Sequence, residues 1–185
     1  IKPEDDGTYS IPKGNLFSDA AQGRPEIYVM GVRNPFRISV DAKNGFLYWG
    51  DVGPDAGKDS TGFGSMGYDE VNQARKAGNH GWPYFIGNNQ PYNHYDYAKN
   101  QTGPLFDPKK PINTSPNNTG IKELPEAVPP MIYYPYASSK VFPLVGEGGR
   151  SAMAGPVFYA DQFPASERRF PDYYDKKFFA YEWMR

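Results

Sequence analysis

The sequence predicts an all-β fold that is rich in turns, and three features of its composition support this prediction. The 185 residues include 20 Gly and 19 Pro, so signals for turns are dense along the chain. Aromatic residues make up 16% of the sequence, which is enough to fill a core and is unlike a disordered chain. No window shows a convincing amphipathic helix, and short aromatic strands between turns are typical of all-β proteins.

Residues 26–50 are predicted to form three consecutive strands. The first covers 26–30, and the Gly and Pro of 31–35 end it, because the residue before a Pro avoids the helical region. Residues 36–40 alternate between apolar and polar side chains, which is the pattern of a half-buried strand. An Asn-Gly pair within 41–45 supplies the positive φ angles of a tight hairpin and leads into the return strand at 46–50. This order is the meander of one β-propeller blade.

The rest of the chain contains further strands and one long irregular segment. A Gly-rich loop spans 53–67, and residues 86–130 show little periodicity and much Asn, Pro and Tyr. A segment of this length in a compact domain is usually functional or an insertion, so we expect 86–150 to be a loop-rich insertion. Further strands are predicted at 68–73, 131–134, 155–160 and 178–183.

The composition excludes several classes of protein. Lys and Arg total 20 against 21 Asp and Glu, without the clustered basic surplus of a nucleic-acid-binding face. The chain has no Cys, which excludes disulfides, thiolate metal sites and a Cys nucleophile but leaves the compartment open. No apolar stretch approaches the roughly 20 residues that span a membrane. Because the chain opens at Ile1 and not at Met, and ends at Arg185 without a tail, we expect residues 1–185 to be a partial domain, truncated at both ends.

The first candidate constellation lies in two loops that follow predicted strands. Arg33 and Asn34 follow the strand 26–30, and Gly53–Pro54 follows the strand 46–50. The planar fork of an Arg suits carboxylate or quinone oxygens, and backbone carbonyls beside a Gly-Pro pair suit a hard cation such as Ca²⁺. The alternative is a structural arginine that closes a loop beside a simple Asx turn.

The second constellation is the pair of carboxylates in Tyr-Asp-Glu-Val-Asn at 68–72. In a strand Asp69 and Glu70 point to opposite faces, so they do not chelate one ion together. One of them is available for Ca²⁺ while the other caps a turn or pairs with an arginine. His80 and His94 are the only histidines and lack a zinc-binding spacing, so we expect both to be structural.

Four motifs in order along the chain resemble the soluble glucose/sorbosone dehydrogenase family. They are Pro-Glu-Ile-Tyr-Val-Met-Gly-Val-Arg-Asn-Pro at 25–35, Asp-Val-Gly-Pro at 51–54, Tyr-Asp-Glu-Val-Asn at 68–72 and Gly-Asn-His-Gly-Trp-Pro at 78–83. That family has Gly-His-Arg-Asn, Glu-(His or Gln)-Gly-Pro, Asp-Glu-Ile-Asn and Gly-Asn-Tyr-Gly-Trp-Pro at similar spacing. The match is strong over 25–85 and looser over 151–159 and the final strand.

The resemblance implies a fold, a reaction and a set of site residues. The family is a six-bladed β-propeller, usually exported by bacteria, that oxidises aldose sugars with pyrroloquinoline quinone and Ca²⁺. By this resemblance Arg33 and Asn34 face the quinone, and the carbonyls of Gly53–Pro54 hold its Ca²⁺. The resemblance also implies that Asp69 and Glu70 help to bind a second, structural Ca²⁺. The full-length protein is then expected to be periplasmic or secreted, with an electron acceptor that the sequence does not identify.

The sequence departs from the family pattern in three places. Val52 stands where the family has a polar side chain against the cofactor. The family's lysine near the last strand falls on Met184, with Arg185 beside it as a candidate cofactor-binding substitute. The catalytic histidine belongs to a blade upstream of the Arg-Asn motif, so no catalytic residue is expected in this chain and the remaining blades would come from the same parent protein.

Three functions follow from these observations. The leading prediction is a sugar dehydrogenase-like domain that uses pyrroloquinoline quinone and Ca²⁺. The alternative, supported by Val52 and Met184, is a non-catalytic propeller that binds carbohydrate or a protein partner. A propeller glycosidase would need two carboxylates at a defined separation, and nothing in the sequence beyond scattered acids supports it.

Overall fold

The computed structural model describes residues 1–166 and 168–185. The prediction of an all-β protein is confirmed, since the described residues form strands and three short 3₁₀ helices at Pro143–Val145, Ala160–Gln162 and Asp172–Tyr174. The described strands are β1 (Lys2–Pro3), β2 (Tyr9–Ser10), β3 (Val29–Met30), β4 (Pro35–Val40), β5 (Leu47–Asp51), β6 (Asp69–Ala74), β7 (Gly78–Asn79), β8 (Phe85–Ile86), β9 (Gln90–Pro91), β10 (Asn93–Asp96), β11 (Gln101–Leu105), β12 (Ile132–Tyr134), β13 (Ala152–Phe158) and β14 (Lys177–Glu182). No helix in the described part of the chain is long and apolar enough to cross a membrane.

The largest sheet has four antiparallel strands in the order β12–β6–β5–β4. Trp49 pairs with Asn72 on one side and with Ile38 on the other. Because side chains alternate along each strand, this register divides the sheet into two faces of different chemistry. One face carries Tyr48, Gly50 and Val71, and the opposite face carries Trp49, Glu70 and Asn72.

A second, two-stranded sheet of β13 and β14 packs against the first of these faces. The buried side chains of Val71, Tyr134 and Ala152 form the core between the two sheets. Gly50 allows the close approach, because a Cβ atom there would lie 2.1 Å from the carbonyl oxygen of Ala152. The rings of Tyr48 and Phe178 stack at 4.3 Å across the same interface. The two sheets therefore form one packed unit.

The prediction that 26–30 is the first strand of the blade is wrong. Only Val29–Met30 is a strand, and it pairs in parallel with Gly78–Asn79 instead of joining the meander. Gly31, at φ +74°, turns the chain away so closely that a Cβ there would lie 2.5 Å from the backbone nitrogen of Gly81. The four-stranded sheet instead takes its fourth strand, Ile132–Tyr134, from beyond the loops that follow β6.

The edge strand β4 differs from its predicted half-burial. The alternation of Phe36, Ile38 and Val40 predicts that these side chains face a core, but they are 60%, 59% and 62% exposed. These side chains therefore lie largely open to solvent, whereas Trp49, which pairs with Ile38 on the same face, is buried. At the other end of β4, only Gly45 of the Asn-Gly turn has a positive φ, and the carboxylate of Asp41 caps the turn by accepting the backbone N–H of Lys43 at 2.9 Å.

The segment 86–150 combines irregular loops with short strands. It contains part of the small hairpin β8–β9, the whole hairpin β10–β11, and β12 of the main sheet. The hairpin β10–β11 lies next to the loop 53–67, because the backbone N–H of Asn93 donates to the carbonyl of Phe63 at 2.8 Å. The long segment thus both completes the main sheet and supports the loop that begins at Gly53.

Candidate functional site

The structure brings together the two loops that the sequence singled out. The guanidinium Nη1 of Arg33 donates to the carbonyl oxygen of Val52 at 2.8 Å. The backbone N–H of Val52 in turn donates to the carbonyl oxygen of Asn34 at 3.0 Å. The loop after β3 and the loop after β5 therefore open at the same end of the main sheet.

A buried carboxylate that the sequence analysis did not assign to the site fixes this contact. Asp51, the last residue of β5, accepts the backbone N–H of Asn34 at 2.6 Å and that of Arg33 at 3.0 Å. Burial raises the pKa of Asp51, while these two N–H donors and the positive charge of Arg33 oppose the rise. Its place in Asp-Val-Gly-Pro was visible in the sequence, but pairing with the Arg-Asn backbone is a long-range contact.

The side chains of Arg33 and Asn34 are both exposed. Arg33 lies over the ring of Trp82, with its guanidinium carbon 5.7 Å from the ring centroid. Beyond its bond to Val52, the guanidinium makes no hydrogen bond to the residues that the structure describes, so its other N–H groups can reach a ligand. A planar ligand with carboxylate or quinone oxygens fits an arginine fork held in this way.

The carbonyl of Pro54 is already engaged within the protein. It accepts Nη2 of Arg150 at 2.7 Å and the backbone N–H of Ala56 at 2.8 Å. A carbonyl oxygen has two lone pairs, so these two donors use its usual capacity. The N–H of Gly53 is used as well, since it donates to Asp69 at 3.0 Å.

Asp69 forms a buried ion pair with Arg150, a residue that the sequence analysis did not single out. Oδ1 of Asp69 lies 3.3 Å from Nη1 of Arg150, and the two side chains are 0% and 1% exposed. The other carboxylate oxygen accepts the N–H of Ala152 at 2.9 Å, so the pair ties the main sheet to β13. Burial raises the pKa of Asp69, and its N–H donors and Arg150 oppose this effect.

Glu70 lies on the opposite face of β6 from Asp69, as strand alternation requires. Its carboxylate accepts the N–H of Gly87 at 2.7 Å and the side-chain amide of Asn72 at 3.1 Å. Burial raises the pKa of Glu70 to about 8, and the nearby charge of Asp51 adds to the rise. A carboxyl group with this pKa is largely neutral at pH 7.

The guanidinium of Arg185 is bonded to backbone carbonyls. It donates to the carbonyls of Gly149 at 2.8 Å, Gly146 at 2.6 Å and Pro135 at 2.5 Å. Its guanidinium carbon also lies 4.8 Å from the ring centroid of Tyr134. In this arrangement Arg185 ties the loop 146–149 to the end of β12.

The two histidines are packed against aromatic rings. His80 meets Trp49 edge-on at 4.6 Å, and burial lowers its pKa to about 4. His94 lies 3.6 Å from the ring centroid of Phe106. Among the described residues, no group of three or more His, Asp or Glu side chains is placed to hold a metal ion.

The residues fit the expected quinone better than they fit the expected calcium ions. Arg33 and Asn34 fit an oxygen-rich planar group, because they are exposed, held by Asp51 and available. The expected calcium ligands do not fit as they are arranged here, because Pro54 and Asp69 are satisfied by Arg150 and Glu70 lies on the other face of the sheet. The roles of Gly53, Pro54, Asp69, Glu70 and Arg185 in binding metal or cofactor stay predictions.

Fold and site define an all-β domain that presents an arginine-asparagine pair at the ends of its strands. More specifically, the chain belongs to the glucose/sorbosone dehydrogenase family, whose model matches residues 1–122. The matched range contains Arg33, Asp51 and Asp69, whereas Arg150 and Arg185 lie beyond it.

Two curated plant proteins are similar to this chain. HIPL1 protein from Arabidopsis thaliana is 33% identical over 159 residues, covering 84% of this chain and 18% of the relative. HIPL2 protein from the same plant is 37% identical over 82 residues, covering 44% of this chain and 10% of the relative. The chain thus spans less than a fifth of the length of either relative, and no solved structure matches it. Because both relatives are plant proteins, a bacterial origin stays a prediction.

Proposed function

We propose that this chain is part of a six-bladed β-propeller of a sugar dehydrogenase-like protein. Its loop residues Arg33 and Asn34, called the rim below, would form part of the ligand-binding site. The four-stranded antiparallel sheet has the strand order of a propeller blade, and the β13–β14 sheet packs face to face against it. The exposed apolar row of β4 is the face against which a preceding blade would pack. The observation that carries the proposal is the pair Arg33 and Asn34, held by Asp51 at the ends of the strands.

The ligand proposed for this rim is pyrroloquinoline quinone, which takes two electrons from the sugar when it is bound. In this chain Arg33 would donate to the oxygens of the quinone or of its carboxylates, and Asn34 would add a hydrogen bond. Asp51 and Val52 fix the backbone and guanidinium of Arg33, so little side-chain freedom is lost on binding. Trp82 supports the guanidinium from one side.

No residue of this chain is proposed as the catalytic base. The sugar substrate, the electron acceptor and the base belong to the proposal for the full-length protein. The calcium ion that the family resemblance implies at Gly53–Pro54 is left out of this proposal, because Arg150 and Ala56 already use the carbonyl of Pro54. A periplasmic or secreted location is also proposed, on the family resemblance alone.

A non-catalytic propeller that binds carbohydrate or a protein partner is the second candidate. Val52 presents an apolar side chain at the position where the family pattern is polar. The guanidinium of Arg185 and the carbonyl of Pro54 are committed to internal contacts, which leaves fewer groups for a cofactor. These observations favour a rim that has kept the family architecture without the complete cofactor site.

Quinone binding to the full-length protein tests the proposal. We expect saturable quenching of protein fluorescence by pyrroloquinoline quinone, and at least a tenfold loss of affinity in Arg33→Ala because a charge-assisted hydrogen bond is removed. Arg24→Ala is the matched control, since Arg24 is also exposed but lies outside the site. Reduction of an artificial electron acceptor with a panel of aldoses then tests for dehydrogenase activity.

The outcomes separate the two candidates. Binding without any reduction of the acceptor would keep the rim as a quinone site and remove the dehydrogenase activity. Absence of binding to the wild-type protein would favour the non-catalytic propeller. Equal affinities of Arg33→Ala and wild type would refute the role of Arg33.

A further inference from the structure

Arg150 contacts the carbonyl of Pro54 and the carboxylate of Asp69, oxygen ligands that the family resemblance assigns to two different Ca²⁺ ions. Its Nη2 donates to the carbonyl of Pro54 at 2.7 Å, and its Nη1 lies 3.3 Å from Oδ1 of Asp69. Hard cations such as Ca²⁺ bind through carbonyl and carboxylate oxygens of this kind. The guanidinium is therefore a cation placed between a carbonyl and a carboxylate.

The position of Arg150 is fixed from several sides. Its side chain is 1% exposed, and its guanidinium carbon lies 3.9 Å from the ring centroid of Tyr136. The hydroxyl of Tyr136 in turn donates to Asp55, one residue beyond Pro54, at 2.6 Å. A buried charge with a stacked ring on one side and an ion pair on the other has little freedom to move aside.

The groups next to Asp69 include N–H donors of Arg150 and Ala152, and N–H groups repel a metal ion. Nε of Arg150 is buried and makes no hydrogen bond with any described residue, and Nη1 reaches Asp69 only as an ion pair. The second oxygen of Asp69 is used by the N–H of Ala152. A divalent ion at this place would lie next to a positive charge in a poorly screened interior, where like charges repel strongly.

We infer that Arg150 is the built-in cation of the loop 53–67 and that the start of this loop binds no divalent metal. The guanidinium neutralises Asp69 and holds the carbonyl of Pro54, so it occupies one oxygen ligand of each of the two Ca²⁺ ions that the family resemblance implies. This inference concerns the loop itself, so it stands whether or not a quinone binds at Arg33. A ligand at Arg33 and Asn34 would then be recognised by hydrogen bonds from the protein, and it would not need to chelate a metal ion.

Hydrogen–deuterium exchange of the full-length protein tests the inference, with peptides that cover residues 50–68 as the readout. In wild type, we expect the same exchange rates in millimolar CaCl₂ and in excess chelator. Slower exchange of these peptides with Ca²⁺ than with chelator would overturn the inference. This comparison needs no variant and no bound quinone.

The variant Arg150→Met adds a second test. Loss of the built-in cation should raise exchange of the 50–68 peptides at least tenfold, while Arg24→Met, a matched change at an exposed arginine, should leave them unchanged. If Arg150→Met exchanges like wild type, Arg150 does not hold the loop and the inference fails. If this variant does not fold, the wild-type comparison in Ca²⁺ and chelator decides.

Discussion

The carboxylate of Asp51 accepts the backbone N–H of Asn34 at 2.6 Å, so the end of one strand fixes the loop that precedes another. The same carboxylate accepts the N–H of Arg33 at 3.0 Å. These two bonds fix the backbone of the exposed arginine-asparagine pair. Any ligand contact by Arg33 or Asn34 therefore depends on a residue that does not itself need to touch the ligand.

Asp51→Asn should weaken the hydrogen bonds that hold the backbone of Arg33 and Asn34. The amide retains only one acceptor oxygen, and its NH₂ group would face a backbone N–H, so one buried donor is left without a partner. We expect a loss of about 1–3 kcal/mol in the free energy of unfolding, measured by urea titration. Affinity for pyrroloquinoline quinone should fall together with stability.

Asp5→Asn is the control, because Asp5 is exposed and lies far along the chain from the site. It should shift the urea midpoint very little. If Asp51→Asn were as stable as this control, the two hydrogen bonds would not support the loop.

Gly50→Ala tests the packing between the two sheets. A Cβ atom at this position would lie 2.1 Å from the carbonyl oxygen of Ala152 and 2.5 Å from the nitrogen of Met153, which are backbone atoms that cannot rotate away. We expect a loss of about 3 kcal/mol or more, because overpacking that moves backbone is costly. Gly57→Ala is the matched control, since a Cβ atom there would meet no atom within 4 Å and the φ of Gly57 is not positive. Equal urea midpoints for the two variants would argue against close packing of β13 on β5.

Glu70 should make stability depend on pH. Its folded-state pKa of about 8 lies above the ordinary value of 4.5, so between these values the folded protein binds a proton that the unfolded chain has released. Stability from this group is complete below about pH 4.5 and is lost as the pH rises to about 8, with a slope of up to roughly 1.4 kcal/mol per pH unit. Urea titrations at several pH values measure this slope.

Glu70→Gln should remove that part of the pH dependence. The glutamine oxygen can still accept the N–H of Gly87. Oδ1 of Asn72 is buried and has no hydrogen-bond partner among the described residues, so with the amide of Asn72 turned over it accepts the new NH₂ group. Glu123→Gln, at an exposed position, should keep the wild-type profile. An unchanged slope in Glu70→Gln would show that Glu70 titrates normally.

Three strands of the main sheet were predictable from local signals. Alternating side chains place β4, and the Gly-, Pro- and Asn-rich segments that bound the strands place β5 and β6, all within one or two residues of their observed positions. The parallel pairing of Val29–Met30 with Gly78–Asn79 was missed, because it joins distant segments through a close backbone approach at Gly31. Periodicity reports which face of a strand is apolar, and it carries no information about its pairing partner.

In the candidate site, too, local features were predictable from the sequence and long-range contacts were not. The loop positions and chemistry of Arg33 and Asn34 were accessible from residue types and motif order. The ion pair of Asp69 with Arg150 was not, because an isolated arginine before Ser151 has no local signature, and only the packing of β13 on the main sheet brings it to Pro54. Contacts that neutralise buried charge are set by tertiary structure, so they decide which oxygens stay free for a ligand.

The exposed apolar row on β4 provides a test of the propeller. On a free surface, Ile38→Lys should change the free energy of unfolding by less than about 0.5 kcal/mol. If a preceding blade covers Ile38 in the full-length protein, the substitution buries an unpaired charge, and we expect a loss of about 3 kcal/mol or more together with faster hydrogen exchange across β4 and β5. Leu144→Lys is the matched control, because Leu144 is fully exposed in a 3₁₀ helix outside the main sheet. Similar small effects of the two lysines in the full-length protein would contradict a propeller in which another blade packs on this face.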